Sequence, residues 1–304
     1  MIIVPKIKEL ILPLSIKTRM RGRFTIETQA PGQKRRLRAS FPNLITNNGL
    51  DQICSNSNYS LTCAVGSGNA TPVVTNTALQ SLVGSTSTLF SSSRSVQSSP
   101  PYFGTLTNTY NFPAGTATGN LAEVGVGPNA TSLISRALIL DGGGSPTTIT
   151  VLSSEALYVT YQLEQVVPTS DVTGTVSISG TSYGYTLRGA SATGGVWELT
   201  NEEPSLSQFT AYNGAIGAVT GTPTGSSSSA DSVSTASYTT GSYTLDYTAG
   251  FSLTAGNLSG GISALYFSLG PSNTRGAFQI GLGTAIPKTG SNVLTLNLST
   301  TWSA

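Results

Sequence analysis

Apolar and polar residues alternate with period two over much of this chain, the periodicity of half-buried β-strands. In 16–28, Ile16, Thr18, Met20, Gly22, Phe24 and Ile26 fall on one face, and Lys17, Arg19, Arg21, Arg23 and Thr25 on the other. Ala30-Pro31-Gly32-Gln33 is a turn signal. Leu37, Ala39 and Phe41 then alternate with Arg36, Arg38 and Ser40. The pattern predicts a hairpin of 16–28 with 34–41 bearing one cationic face. Like charges facing each other across such a ladder destabilise it, so the face calls for anionic groups.

Further strands follow from the same alternation. Leu157, Val159, Tyr161 and Leu163 share a face, as do Leu294, Leu296, Leu298, Thr300 and Trp302. Ser132–Leu140 and Thr147–Leu152 flank a Gly-rich turn at 141–146, and Ser232–Thr240 and Ser242–Thr248 flank Gly241. One short helix is expected at Asn47–Cys54, capped by Asn47 or Asn48, with Leu50 and Ile53 on its apolar face. Residues 91–99 and 221–231 read as loops. The sum is an all-β chain: an antiparallel β-sandwich or jelly-roll-like body, 41–304, behind an extended basic N-terminal arm and hairpin, 1–40. An internal boundary is expected near 168–172.

Composition sharpens this reading. Ser and Thr number 43 each in 304 residues, and charged residues are only 9%. The net charge of +2 hides a polarity, because ten of the fifteen basic residues lie in 1–40. A basic segment on a weakly acidic body points to an anionic partner. Ahead of the hairpin, Ile2, Ile3, Val4, Ile7, Leu10, Ile11 and Leu12 form an apolar stretch. Pro5, Lys6, Lys8, Glu9 and Pro13 interrupt it, so neither membrane insertion nor a signal peptide is expected. Docking on a neighbouring subunit is the simplest expectation for it.

Candidate chemistry is thin. Histidine is absent, which excludes His-based nucleophile systems and His-containing metal sites within the chain. Glu202 with Glu203, or Glu155 with Glu164, are the available carboxylate pairs. Adjacent Glu202 and Glu203 point to opposite faces if on a strand, and the scarce carboxylates form no convergent cluster, so neither pair reads as a glycosidase centre. Gly66-Ser-Gly68-Asn-Ala70 has half of a phosphate-loop pattern and reads as a turn. Cys54 and Cys63 are expected as buried free thiols. No cofactor or metal is expected, and the chain reads as a non-enzyme.

Four stretches resemble a family of tailed-bacteriophage virion proteins described as tail- or tail-fibre-associated. They are Phe41–Asp51; Val65–Pro72 leading into Asn76–Gln80; Leu121–Gly127 with Leu133–Ile139, Pro146–Leu152 and Leu157–Tyr161; and Ile286-Pro-Lys288 running to Trp302. Residues 166–280 carry no such likeness. The resemblance implies a structural part of a virion, assembled from copies of itself with other virion proteins. The expected assembly surface is Ile2, Ile3, Val4, Ile7, Leu10, Lys17, Arg19, Arg21, Arg23, Arg36 and Arg38. The alternative is a receptor- or carbohydrate-binding module that grips a host-surface glycan through Tyr183, Tyr185, Trp197 and Tyr212. The scarcity of aromatics among the basic residues argues against nucleic acid.

Overall fold

The computed structural model describes residues 11–178, 180–270 and 274–304, with backbone alone at 11–14. The chain is all-β, as the alternation predicts, with one short helix. Strand β1, Ile11–Gln29, spans about 60 Å at the usual rise per residue. Ile16, Thr18, Met20, Phe24, Ile26 and Thr28 are buried along it. Full burial of an Ile, Met or Phe side chain contributes about 1.5–3 kcal/mol.

That burial decides where β1 goes. Its C-terminal half pairs with β12, Ala156–Val166, from Arg19↔Val166 to Gln29↔Ala156. Its other edge pairs with β2, Arg36–Pro42. Its N-terminal half runs parallel to β21, Leu294–Ser303, from Ile11↔Thr295 to Arg19↔Ser303. Residues 11–40 are therefore no projecting arm. They form the spine of their own subunit's largest sheet, because a strand with a continuous apolar face must be covered. Ile2, Ile3, Val4, Ile7 and Leu10 lie outside the described residues.

The large sheet continues through β7, Phe103–Phe112, and β6, Leu89–Val96, beyond β12, and through β18, Thr244–Phe251, and β17, Ser232–Thr235, beyond β21. A five-stranded sheet has the order β3 (Leu44–Ile45), β10 (Ser135–Leu138), β9 (Glu123–Gly127), β4 (Thr62–Gly66), β5 (Leu82–Thr86). β8, Gly119–Leu121, pairs with β11, Ile149–Val151. A six-stranded sheet takes the remaining strands in the order β13 (Val172–Ile178), β14 (Thr181–Gly189), β20 (Ala277–Ile286), β19 (Ile262–Leu269), β15 (Leu206–Tyr212), β16 (Ser227–Ser229). One core runs through all of these. The Phe24 ring lies against Tyr161 and Phe41 at 5.0 and 6.1 Å. Phe209 joins the six-stranded sheet to the large one through Phe251, at 6.0 Å.

Several local expectations change. The helix α1 spans Asn47–Ser55, but Thr46 caps it, its Oγ1 accepting from Gly49 N at 2.9 Å. Asn47 and Asn48 sit inside the first turn. Residues 91–96 of the expected 91–99 loop belong to strand β6, and the three serines 227–229 are the edge strand β16, bonded to 210–212. Serine has little preference of its own, so its state is set by the partner strand. The turn at 141–146 closes locally, with Asp141 N donating to Ser145 O, yet its flanks pair into different sheets. Residues 167–171 connect β12 to β13. Among the described residues no helix is long and apolar enough to cross a membrane.

Candidate functional site

The outward face of β1 is the most distinctive surface. Lys17, Arg19, Arg21 and Arg23 alternate with the buried positions and are exposed, about 7 Å apart along the strand. Arg21 Nε pairs with Glu164 on β12, and its guanidinium lies 4.9 Å from the Phe103 ring. Arg23 Nε donates to Ser40 Oγ at 3.0 Å. Glu164 is the only acid that forms an ion pair with this row among the described residues.

Arg36 and Arg38 do not join the row. The β1–β2 ladder shifts register between Ile26 and Glu27, so Ala39 faces Ile26 while Leu37 faces Glu27. Such a bulge inserts one residue and flips the alternation beyond it. Leu37 turns outward and is 60% exposed. Arg36 sits across from inward-facing Thr28, and Arg38 reaches Thr28 Oγ1 at 3.3 Å and Thr150 O at 3.2 Å. The outward surface is thus narrower in charge than the sequence implies, and more apolar.

A second bulge adds to it. In the β6–β7 ladder Leu89 pairs with Tyr110 and Ser91 with Thr109, leaving Phe90 unpaired between them. Phe90 projects outward, 57% exposed, with its ring 5.5 Å from Tyr158 and edge-on to it. Arg35 lies over both rings, 4.0 Å from Phe90 and 3.6 Å from Tyr158, with Glu27 at 3.9 Å. Leu37, Glu27 and Tyr158 stand side by side across three strands. The result is an apolar and aromatic strip crossing the sheet beside the cationic row. Neither Phe90 nor Arg35 carries a sequence signal for this role, because only the bulge brings them here.

The aromatics expected to grip a glycan lie elsewhere. Trp197 is 1% exposed, its Nε1 donating to Ala190 O at 2.8 Å and its ring 5.5 Å from Phe278. Tyr183 is buried as well. Tyr185 and Tyr212 are half-buried. Trp197 and Tyr183 are core residues.

Two buried charges organise the interior instead. Glu123 and Arg136 are almost fully buried and paired, with Arg136 Nη2 2.8 Å and Nε 3.0 Å from Glu123 Oε2. Glu123 also accepts from the backbone N–H groups of Gly68, Gln80 and Ser81 at 2.8–3.1 Å. Arg136 donates further to Asn76 Oδ1 and Ala70 O. The Gly66–Ala70 loop is therefore already engaged from within, Gly68 N by the Glu123 carboxylate and Asn69 N and Ala70 N by Gln80 Oε1, which leaves these N–H groups unavailable to a phosphate. Segments 66–70, 76–81 and 123–136 meet at this pair, with Leu44 across the ladder from Arg136. Arg275, 1% exposed, donates Nη1 to Thr200 O and Glu202 O at 2.9 Å each and Nη2 to Ile53 O at 3.2 Å. Ile53 O lies in the last turn of α1, where a helix favours a cation.

Cys54 and Cys63 are free and buried. Burial pushes the Cys54 thiol up to about 12, against a partial offset from Arg275. Among the described residues no group of three or more Cys, Asp or Glu could hold a metal ion. Comparison with protein-family models, curated proteins and solved structures gives no match.

Proposed function

We propose that this chain is a structural component of a bacteriophage particle, tail-associated, acting as a homo-oligomer that contacts other virion proteins. The observation that carries the assembly part is the outward face of the large sheet. Arg19, Arg21, Arg23 and Arg35 stand there beside Leu37, Phe90 and Tyr158. Arginine and aromatic residues are enriched at protein–protein interfaces, whereas lysine and acids are depleted. The phage part rests on the motif resemblance alone. In this reading the large sheet packs as a sandwich on the five- and six-stranded sheets, a rigid scaffold that presents the docking face.

The glycan-binding alternative loses Trp197 and Tyr183 to the core, and no feature of the described surface favours it. Quantitative mass spectrometry of gradient-purified tailed particles tests the assignment. The chain should co-sediment with the particles at a fixed ratio to the major tail protein. A variable ratio that falls with each purification round contradicts the assignment.

A further inference from the structure

The cationic row has its complement on the same chain. Residues 198–203 carry three exposed carboxylates, Glu198, Glu202 and Glu203. None of them forms an ion pair among the described residues. Their backbone is held firmly. Arg275 binds the carbonyls of Thr200 and Glu202. Asn201 Oδ1 accepts from Ser60 N at 3.1 Å, and Asn58 N donates to Asn201 O at 2.8 Å. Glu202 and Glu203 border an open cleft of about 480 Å³ beside Ser57, Ser205 and Thr235. Carboxylates on a fixed backbone lose little freedom on binding, which favours their use in an interface.

We infer that the outward face of β1 docks on residues 198–203 of a second copy of this chain. This rests on the homo-oligomer reading and names the surfaces it uses. Charge complementarity carries it. The row holds four cations, one of them already engaged by Glu164, and the facing segment offers three unpaired carboxylates. Arginine forks match carboxylates in planar, two-point contacts. A free polyanion would satisfy the row and leave the acidic segment unmatched, whereas a second copy satisfies both. Because the two patches differ, the contact is head-to-tail. It closes into a ring if the rotation allows and otherwise runs on as a filament. Like-charge juxtaposition at such a contact is strongly unfavourable, so charge reversal reads it directly.

The test is sedimentation of the full-length chain with three variants: Arg19→Glu with Arg23→Glu, Glu202→Lys with Glu203→Lys, and all four together. Each double reversal should weaken association by at least about tenfold while leaving the circular dichroism melt unchanged. The fourfold variant, with its charges exchanged, should regain most of the lost association. Association in the wild type should also weaken as salt is raised. A wild-type chain that stays monomeric overturns both this inference and the homo-oligomer reading. An oligomer that ignores both reversals overturns the inference and leaves the reading intact. If the doubles dissociate and the fourfold variant stays apart, the basic face binds some other surface and the pairing with 198–203 is wrong.

Discussion

Glu123 and Arg136 hold three chain segments, and their worth depends on being kept as a pair. Removing one partner of a buried ion pair leaves an uncompensated charge, which costs about 3–5 kcal/mol. Arg136→Met should therefore lower the stability read from urea unfolding by about that much. Replacing both, Glu123→Leu with Arg136→Met, should cost less than Arg136→Met alone despite the extra substitution, although three backbone N–H groups then lose their acceptor. A double variant that is the less stable of the two would show that the carboxylate organises the loop independently of its cation. The buried thiols and phenols make a second prediction. Burial raises Cys54 from 9.0 to about 12, and also raises Cys63, Tyr110, Tyr161 and Tyr247. A group whose folded pKa is raised gives stability that is complete below its unfolded pKa. That stability is lost as pH climbs toward the folded value, because the unfolded chain releases the proton first. The denaturation midpoint should hold steady below pH 9 and fall between about pH 9 and 12. At pH 8 neither thiol should react with a disulfide reagent until the chain is unfolded. Rapid native-state labelling of Cys54 would contradict its placement.

Among the elements, β1 carries the most. It is bonded to β12, β2 and β21, and it joins the two ends of the chain. Deletion of 1–29 should abolish the cooperative melt, because it would strip the hydrogen-bonding edges of three partner strands and remove the core side chains of β1 at once. A truncated chain that melts cooperatively would contradict this. Phe24→Ala alone should cost about 3–5 kcal/mol, the usual range for a buried aromatic, measurable by urea unfolding. Gly104 in β7 makes a similar point at smaller scale. A Cβ there would collide with the carbonyl of Trp197, backbone against backbone, so Gly104→Ala should destabilise the chain where an exposed Gly→Ala would not. The sequence reveals the faces of β1, β12 and β21, since one buried side imposes strict alternation. It does not reveal their neighbours. A parallel pairing between residues 11–19 and 295–303 depends on contacts nearly three hundred residues apart, and alternation is blind to distance. Bulges are equally silent. The extra residue at Arg38 or Phe90 exists only relative to a partner's register, so Leu37 and Arg38 exchanged their expected sides. Glu123, Arg136 and Arg275 carry no sequence signal of burial, because a charged side chain defaults to the surface unless its partners are known.

At the scale of the whole molecule, one outward sheet face combines a cationic row with Leu37, Phe90 and Tyr158. The proposed role needs that face covered in the assembled particle and open in the dissociated, monomeric chain. Lys17 lies on it, exposed, and no hydrogen bond or ion pair engages its amine among the described residues. Lys288 is an internal reference, 1% exposed with Nζ donating to Ser252 O, Asn257 Oδ1 and Thr289 O. The most direct measurement is amine labelling followed by mass spectrometry, on the isolated chain diluted at high salt until it sediments as a monomer and on intact purified particles. The account predicts that Lys17 labels readily in the isolated chain and loses at least about nine-tenths of that reactivity in particles, as a desolvated interface position should, while Lys288 stays unreactive in both. Equal labelling of Lys17 in the two samples would contradict it.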